Sequence, residues 1–136
     1  MDSEEFGDVV VAALRDQVGD HLRSIVGYTR DNYTLHYVRD DVRERYTEDE
    51  LDEAVEEMRL ETLEKNYLNS VFQRRHGDLY CRLVVFSEAT EMNFVVSDGE
   101  GLAVAVDTPY FEAEENVVKA ILGTIEEHTD WELDET

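Results

Sequence analysis

Between Leu79 and Asp107 apolar residues recur at every second position in three consecutive runs. Leu79, Cys81, Leu83 and Val85 share one side of LYCRLVVF, Met92, Phe94 and Val96 one side of EMNFVV, and Leu102, Val104 and Val106 one side of GLAVAVD. Period-2 alternation places each set on one face of a sheet, so all three sets are expected in the core. Ser87-Glu88-Ala89-Thr90 and Ser97-Asp98-Gly99-Glu100 supply turn residues between the runs, which predicts an antiparallel meander.

Elsewhere the period changes. Over residues 3–23, Phe6, Val9, Val10, Ala13, Leu14, Val18 and Leu22 recur at helical spacing, with Asp2 and Glu5 placed to cap the start. SIVGYTR and YTLHYVR flank Asp31-Asn32, read as a two-residue hairpin turn because both residues tolerate positive φ. Arg39 to Tyr46 is expected as a loop or a single helical turn. Thr47-Glu48-Asp49-Glu50 is a capping box ahead of a long helix that ends at Gly77 behind Arg74, Arg75 and His76. Within that helix Leu51, Val55 and Met58 form one stripe, and Leu60, Leu63, Tyr67, Val71 and Phe72 a second, rotated one. The phase change predicts either a break near Arg59–Glu61 or a helix with two partners. Thr108 as N-cap and Pro109 open a last helix reaching about His128. The acidic tail, residues 129–136, follows, with Trp131 able to fold back.

The order α-β-β-α-β-β-β-α fits one α+β domain over residues 1–128, a five-stranded antiparallel sheet flanked by helices. Composition then narrows its setting. Thirty-four Asp and Glu against twelve Lys and Arg give a formal charge of −22, yet 42% of residues are hydrophobic and 10% aromatic, so the chain has a core to bury. Self-repulsion on that scale is relieved where salt shortens the Debye length, to about 3 Å at 1 M. A salt-rich archaeal cytoplasm is the expected environment; the alternative is an ordinary acidic protein with an acidic binding face. The charge argues against nucleic acid, whose binding needs a basic surface. No apolar run approaches the ~18 residues of a membrane span, and MDSEEFGD lacks the basic start of a secretory leader. The single cysteine, Cys81, excludes an internal disulfide and suits a reducing compartment.

VGDHLRSIVGYTRDNYTLHYVRDDV, RLETLEKNYLNSVF and EMNFVVSDGEGLAVAVD together resemble a family of small acidic haloarchaeal proteins of unknown function, over Val10 to about Leu122. The resemblance implies the high-salt setting and no activity. The order of elements alone also looks like the roadblock and longin-like fold, or more distantly profilin. Roadblock domains dimerise by joining sheets or packing the middle helix, and many regulate small GTPases. That likeness implies a dimer and such a partner by analogy of fold only.

Candidate chemistry is sparse. Cys81 alternates with Leu79, Leu83 and Val85, so it reads as a buried small residue rather than a nucleophile. His21, His36, His76 and His128 stand singly, without metal-ligand spacing. Asp40-Asp41 and Glu56-Glu57 are pairs that any chain this acidic contains, and Asp98-Gly99-Glu100-Gly101 fits neither a calcium loop nor a phosphate loop. Its glycines read as turn residues at positive φ. No catalytic constellation and no cofactor are expected.

What remains is surface. Opposite the core set, the first meander strand carries Tyr80, Arg82, Val84 and Phe86. If helices cover one face only, Tyr80, Val84 and Phe86 are exposed and, with Leu60, Leu63, Tyr67 and Val71, mark an interface. If helices cover both faces, the fold is a helix–sheet–helix sandwich. The leading expectation is a non-enzymatic regulatory or scaffold domain acting as a homodimer. The alternative is a small-ligand sensor with a pocket between sheet and middle helix, where Tyr28, His36, Tyr37 and Arg82 supply contacts. An enzyme using clustered carboxylates is a third reading.

Overall fold

The computed structural model describes residues 3–128. The cap at Asp2 and Glu5, the side chain of Phe6, and the tail with Trp131 lie outside the described residues or side chains. The elements are α1 Ser3–Val18, a 3-10 turn Gly19–His21, β1 Leu22–Tyr28, β2 Tyr33–Val38, α2 Asp40–Arg43, α3 Glu48–His76, β3 Cys81–Val85, β4 Ala89–Ser97, β5 Glu100–Asp107, α4 Thr108–Ala113 and α5 Val117–His128. All five strands form one antiparallel sheet in the order β2-β1-β5-β4-β3.

Helices cover both faces, which decides between the two layer arrangements. On one face Leu102, Val104 and Val106 of β5 pack with Met92 and Phe94 of β4, Leu22 and Ile25 of β1, Val10, Leu14 and Val18 of α1, and Val117, Ile121 and Ile125 of α5. On the other face Ala103, Val26 and Tyr28 pack with Val55 and Met58 of α3. The alternation in β5 is thus large against small, and both sides are buried. Gly101 continues the small side. A Cβ there would stand 2.5 Å from the Tyr28 hydroxyl and 2.7 Å from the Phe94 carbonyl oxygen.

Several local expectations give way to tertiary contacts. The first helix stops at Val18, not residue 23. Gly19 takes φ +70°, and Leu22 enters β1. The first hairpin turns at Arg30-Asp31, closed by Thr29 N donating to Asn32 O (2.9 Å), and neither Asp31 nor Asn32 has positive φ. Arg59 of α3 holds the turn instead, donating to Thr29 O (2.7 Å) and Asn32 O (3.0 Å). Of the two glycines in the second meander turn only Gly99 takes positive φ, +78°. Arg39–Tyr46 contains one short helix, α2. The last helix is split: Asn116 at φ 58° separates α4 from α5, and accepts from Ala120 N (2.9 Å) to start the latter. Asn is a residue that tolerates this conformation. The N-cap of α4 is Asp107; Thr108 is buried and bonds instead to Phe86 O (2.6 Å) and Thr90 (3.0 Å).

There is no break at Arg59–Glu61. α3 runs unbroken for 29 residues, begins with the capping box of Thr47 and Glu50, and ends at Gly77. Its sheet-facing stripe simply changes chemistry. Val55 and Met58 are followed on that side by Thr62 and Lys65, both buried, and then by Asn69. Thr62 Oγ1 accepts from Gly99 N (2.6 Å) and Asn69 Oδ1 from Leu79 N (2.9 Å), satisfying backbone donors that would otherwise be stranded beneath the helix. The apolar residues of the second stripe face outward.

At the end of the sheet Asp107 accepts from Arg23 (3.0 Å) and from both terminal nitrogens of Arg39 (2.9 and 3.1 Å), tying β5 to β1 and to the end of β2. Partial burial disfavours the carboxylate, but the Arg39 and Arg23 hydrogen bonds outweigh it and hold Asp107 below its ordinary range. A depressed acid stabilises the fold above its unfolded pKa of ~3.9 and loses that contribution as pH falls through the lower folded value. Asp107→Asn is therefore expected to cost about 1–3 kcal/mol at pH 7. The cost should shrink below about pH 4, as read from denaturant midpoints at fixed salt. Gly101→Ala is expected to cost about 1–3 kcal/mol by the same measurement, because the Phe94 carbonyl cannot rotate away.

Candidate interaction surface

The sheet-facing residues of α3 place its other side in solvent. Leu60, Leu63, Tyr67 and Val71 lie there, 49–67% exposed. Tyr80 and Phe86, at either end of β3, are also exposed, whereas Val84 is half-buried. Of the seven side chains expected at an interface, six are thus exposed. Leu83 and Val85, expected in the core, are exposed as well, together with Phe72. β3 is an edge strand, and α1 and α5 reach only Cys81, which packs on the main core. Strand alternation names the face a residue shares, but not how far the covering helices extend.

Nine of the ten large apolar residues exposed in the described structure fall between Leu60 and Phe86; Tyr46 is the tenth. The same segment has an unusual charge. Lys65, Arg74, Arg75 and Arg82 stand against Glu61, Glu64 and Asp78, a net +1 that leaves −23 on the rest of the chain. A helix of 29 residues is about 43 Å long, whereas five strands span only about 19 Å between outer axes, so α3 must outrun the sheet. Its last turns, with the Gly77–Tyr80 connection, Cys81, Leu83 and Val118, line an open groove of about 600 Å³. Exposed apolar side chains and missing net negative charge therefore coincide in one segment of the chain.

The residues expected to contact a small ligand do not converge. Tyr28 is buried on the α3 face, its hydroxyl donating to Asn93 Oδ1 (2.5 Å); Asn93 donates in turn to Met58 O (3.2 Å) and Glu61 (2.9 Å). Burial raises the Tyr28 pKa, so the phenol stays protonated. Tyr37 lies on the opposite face, packed on the main core under Arg15 (5.1 Å to the ring), and His36 lies against Gly27. Burial lowers the pKa of His36. Arg82 pairs with Glu64 (2.6 Å) at the far edge. β-strand alternation and sheet order separate them.

A cavity between sheet and α3 does occur, nearer the helix start, but it measures only about 70 Å³. Val26, Leu35, Val55 and Met58 line it, and its charged groups are Arg23 and Glu91, neither singled out from sequence. Burial, with Glu61 nearby, pushes the Glu91 pKa up, against the pull of Arg23. The only signal for Glu91 in the chain is an acid on the polar side of a strand, which normally means solvent. Among the described residues no three His, Cys, Asp or Glu side chains are grouped to hold a metal ion, and no helix is long and apolar enough to cross a membrane.

Fold and surface together define an α+β domain: a five-stranded antiparallel sheet between helices, with one segment, Leu60 to Phe86, that exposes apolar side chains and carries no excess negative charge. The chain belongs to the family described as domain of unknown function DUF7522, whose model matches residues 8–126. No curated protein and no solved structure matches it.

Burial, with a contribution from Glu61, pushes the Cys81 thiol up to about 12. A disulfide reagent at pH 8 is expected to modify Cys81 much more slowly in the folded protein than in denaturant, because the thiolate is the reactive form. Equal rates would show that the core does not enclose it. Asn93→Ala strands the Tyr28 hydroxyl and is expected to lower stability by about 1–3 kcal/mol in a denaturant titration.

Proposed function

We propose that this chain is a non-enzymatic interaction domain that works as a homodimer, serving as a regulatory or scaffold subunit in a salt-rich archaeal cytoplasm. One observation carries the reading: nine large apolar side chains are exposed in a single segment whose charge is +1, on a chain of charge −22. A surface adapted only to remain soluble in salt has no reason to spare one side. A surface that meets another protein does, since desolvated like charges oppose association while apolar contact favours it. The net charge supports the high-salt setting through screening. A small GTPase as a further partner rests on the likeness in element order to roadblock domains alone.

The small-ligand sensor is the second reading, supported by the cavity beside Arg23 and Glu91. At about 70 Å³ it lies far below the ~300 Å³ of ordinary ligand pockets. The sensor reading ranks second for that reason.

Light scattering in multimolar potassium chloride is expected to give the mass of two protomers. Tyr67→Asp, which places a charge on the outward face of α3, is expected to weaken association at least tenfold while leaving the far-ultraviolet circular dichroism unchanged. A wild-type mass of one protomer, with no partner retained in pulldowns from cells in native salt, would overturn the proposal.

A further inference from the structure

We infer that the groove between the last turns of α3 and the start of β3 docks an acidic segment of a second, different protein. The segment seats apolar side chains in the groove and sets carboxylates against Arg75 on its rim. The site is separate from the outward face of α3, on which the proposed self-association rests. Leu68 and Phe72 follow Tyr67 and Val71 by one residue each, about 100° round the helix.

Shape and charge carry the argument together. Leu68, Phe72, Leu79, Leu83 and Val118 line the groove, whose volume of about 600 Å³ falls within the ~300–1,000 Å³ of sites that hold a ligand. Its polar lining is largely satisfied from within. Asn69 Oδ1 accepts from Leu79 N (2.9 Å), the Gln73 amide donates to Asp78, and His76 stacks on Phe72 (5.4 Å between ring centroids). Apolar contact is therefore what the groove offers. It is open along one side, so it suits an occupant with one apolar and one solvated face, as a segment of polypeptide has.

Around the groove the charge of the chain is reversed. Residues 65–87 hold Lys65, Arg74, Arg75 and Arg82 against a single acid, Asp78, a net +3 that leaves −25 on the rest. Arg75 follows Phe72 by three residues and Leu68 by seven, which puts it on the same flank of the helix. Glu64, on that flank one turn before Leu68, is held by Arg82 (2.6 Å). Among the described residues neither Arg74 nor Arg75 stands in an ion pair. Cations near a helix C-terminus offset its dipole, but that role does not call for an apolar groove beside them. In a chain with thirty-four acids, two arginines left without one point to a carboxylate from outside. Two copies meeting at this patch would set +3 against +3. A copy offering any other surface would make a head-to-tail contact, which does not close into a dimer. A recess also receives side chains, whereas a lipid surface takes protruding ones.

The probe is a short labelled peptide with Leu or Phe at every third or fourth position and Glu elsewhere. It is added to the full chain in molar potassium chloride and followed by fluorescence anisotropy. At that salt the Debye length is about 3 Å, so only charges in contact count. Saturable binding is expected, and versions with Lys for Glu, or with Ala for Leu and Phe, are each expected to bind at least tenfold more weakly. Phe72→Asp and Arg75→Glu alter exposed side chains. Each is expected to weaken binding of the acidic peptide at least fivefold with unchanged far-ultraviolet circular dichroism, and Tyr67→Asp to leave it unaltered. No saturable binding, equal affinity for the lysine version, or undiminished binding by Phe72→Asp overturns the site. Displacement of the peptide by anionic lipid vesicles, or tighter binding once residues 129–136 are removed, overturns a separate protein as the occupant. A monomer by light scattering overturns the proposed self-association and leaves this site standing.

Discussion

β5 is the strand on which everything else is stacked. It lies in the middle of the sheet, buried on both sides, and its alternation is one of size. Leu102, Val104 and Val106 fill the layer beneath α1 and α5, while Gly101, Ala103 and Ala105 keep the opposite side thin. The thin side lets α3 approach closely enough for Thr62 to bond the backbone of Gly99 and for Asn93 to reach the carbonyl of Met58. Larger residues at those positions would push the helix away and leave these backbone groups without partners, at a cost of about 1–3 kcal/mol each.

The polar seam under α3 has a consequence for the outside of the molecule. Past Val55 and Met58 the sheet-facing side of α3 is Thr62, Lys65 and Asn69, so the apolar stripe that would normally hold a helix down covers only its first half. The apolar residues Leu60, Leu63, Tyr67 and Val71 lie on the other side of the helix, about half exposed or more. Their presence on the exposed side, beside an unguarded edge strand and within a segment spared of net negative charge, is what gives the proposed association its physical content. Elsewhere acids outnumber bases; here Lys65, Arg74, Arg75 and Arg82 offset Glu61, Glu64 and Asp78.

The legible part of this chain is the part that obeys a period. The alternation of Met92 and Phe94 in β4 and of Leu102, Val104 and Val106 in β5, the capping box at Thr47–Glu50 and the five-stranded α+β architecture can be read directly, because propensity, pattern and burial agree there. The apparent break at Arg59–Glu61 misleads for a definite reason. An apolar stripe is expected to continue as apolar residues, and the structure continues it with polar ones that bond loop backbones. The turn at Arg30-Asp31 is displaced because Arg59, nearly thirty residues away, holds it. Of the expected interface residues only Val84 is partly covered, and Leu83, Val85 and Phe72 join the others. The expected ligand contacts Tyr28, Tyr37 and Arg82 lie apart, because their placement depends on strand order across the sheet, which no local pattern records.

Sequence alone determined the class of fold, the two ends of α3 at the Thr47 capping box and Gly77, and the strongly acidic charge, since these follow from short-range patterns and from counting charges. Only the tertiary structure decided that both faces of the sheet are covered, that α3 runs unbroken with a polar underside, and that β3 is an open edge. Those outcomes depend on which strand lies beside which and on how far a helix extends over its neighbours. Both are set by contacts between residues far apart in the chain, and the alternation of any one segment carries no record of them.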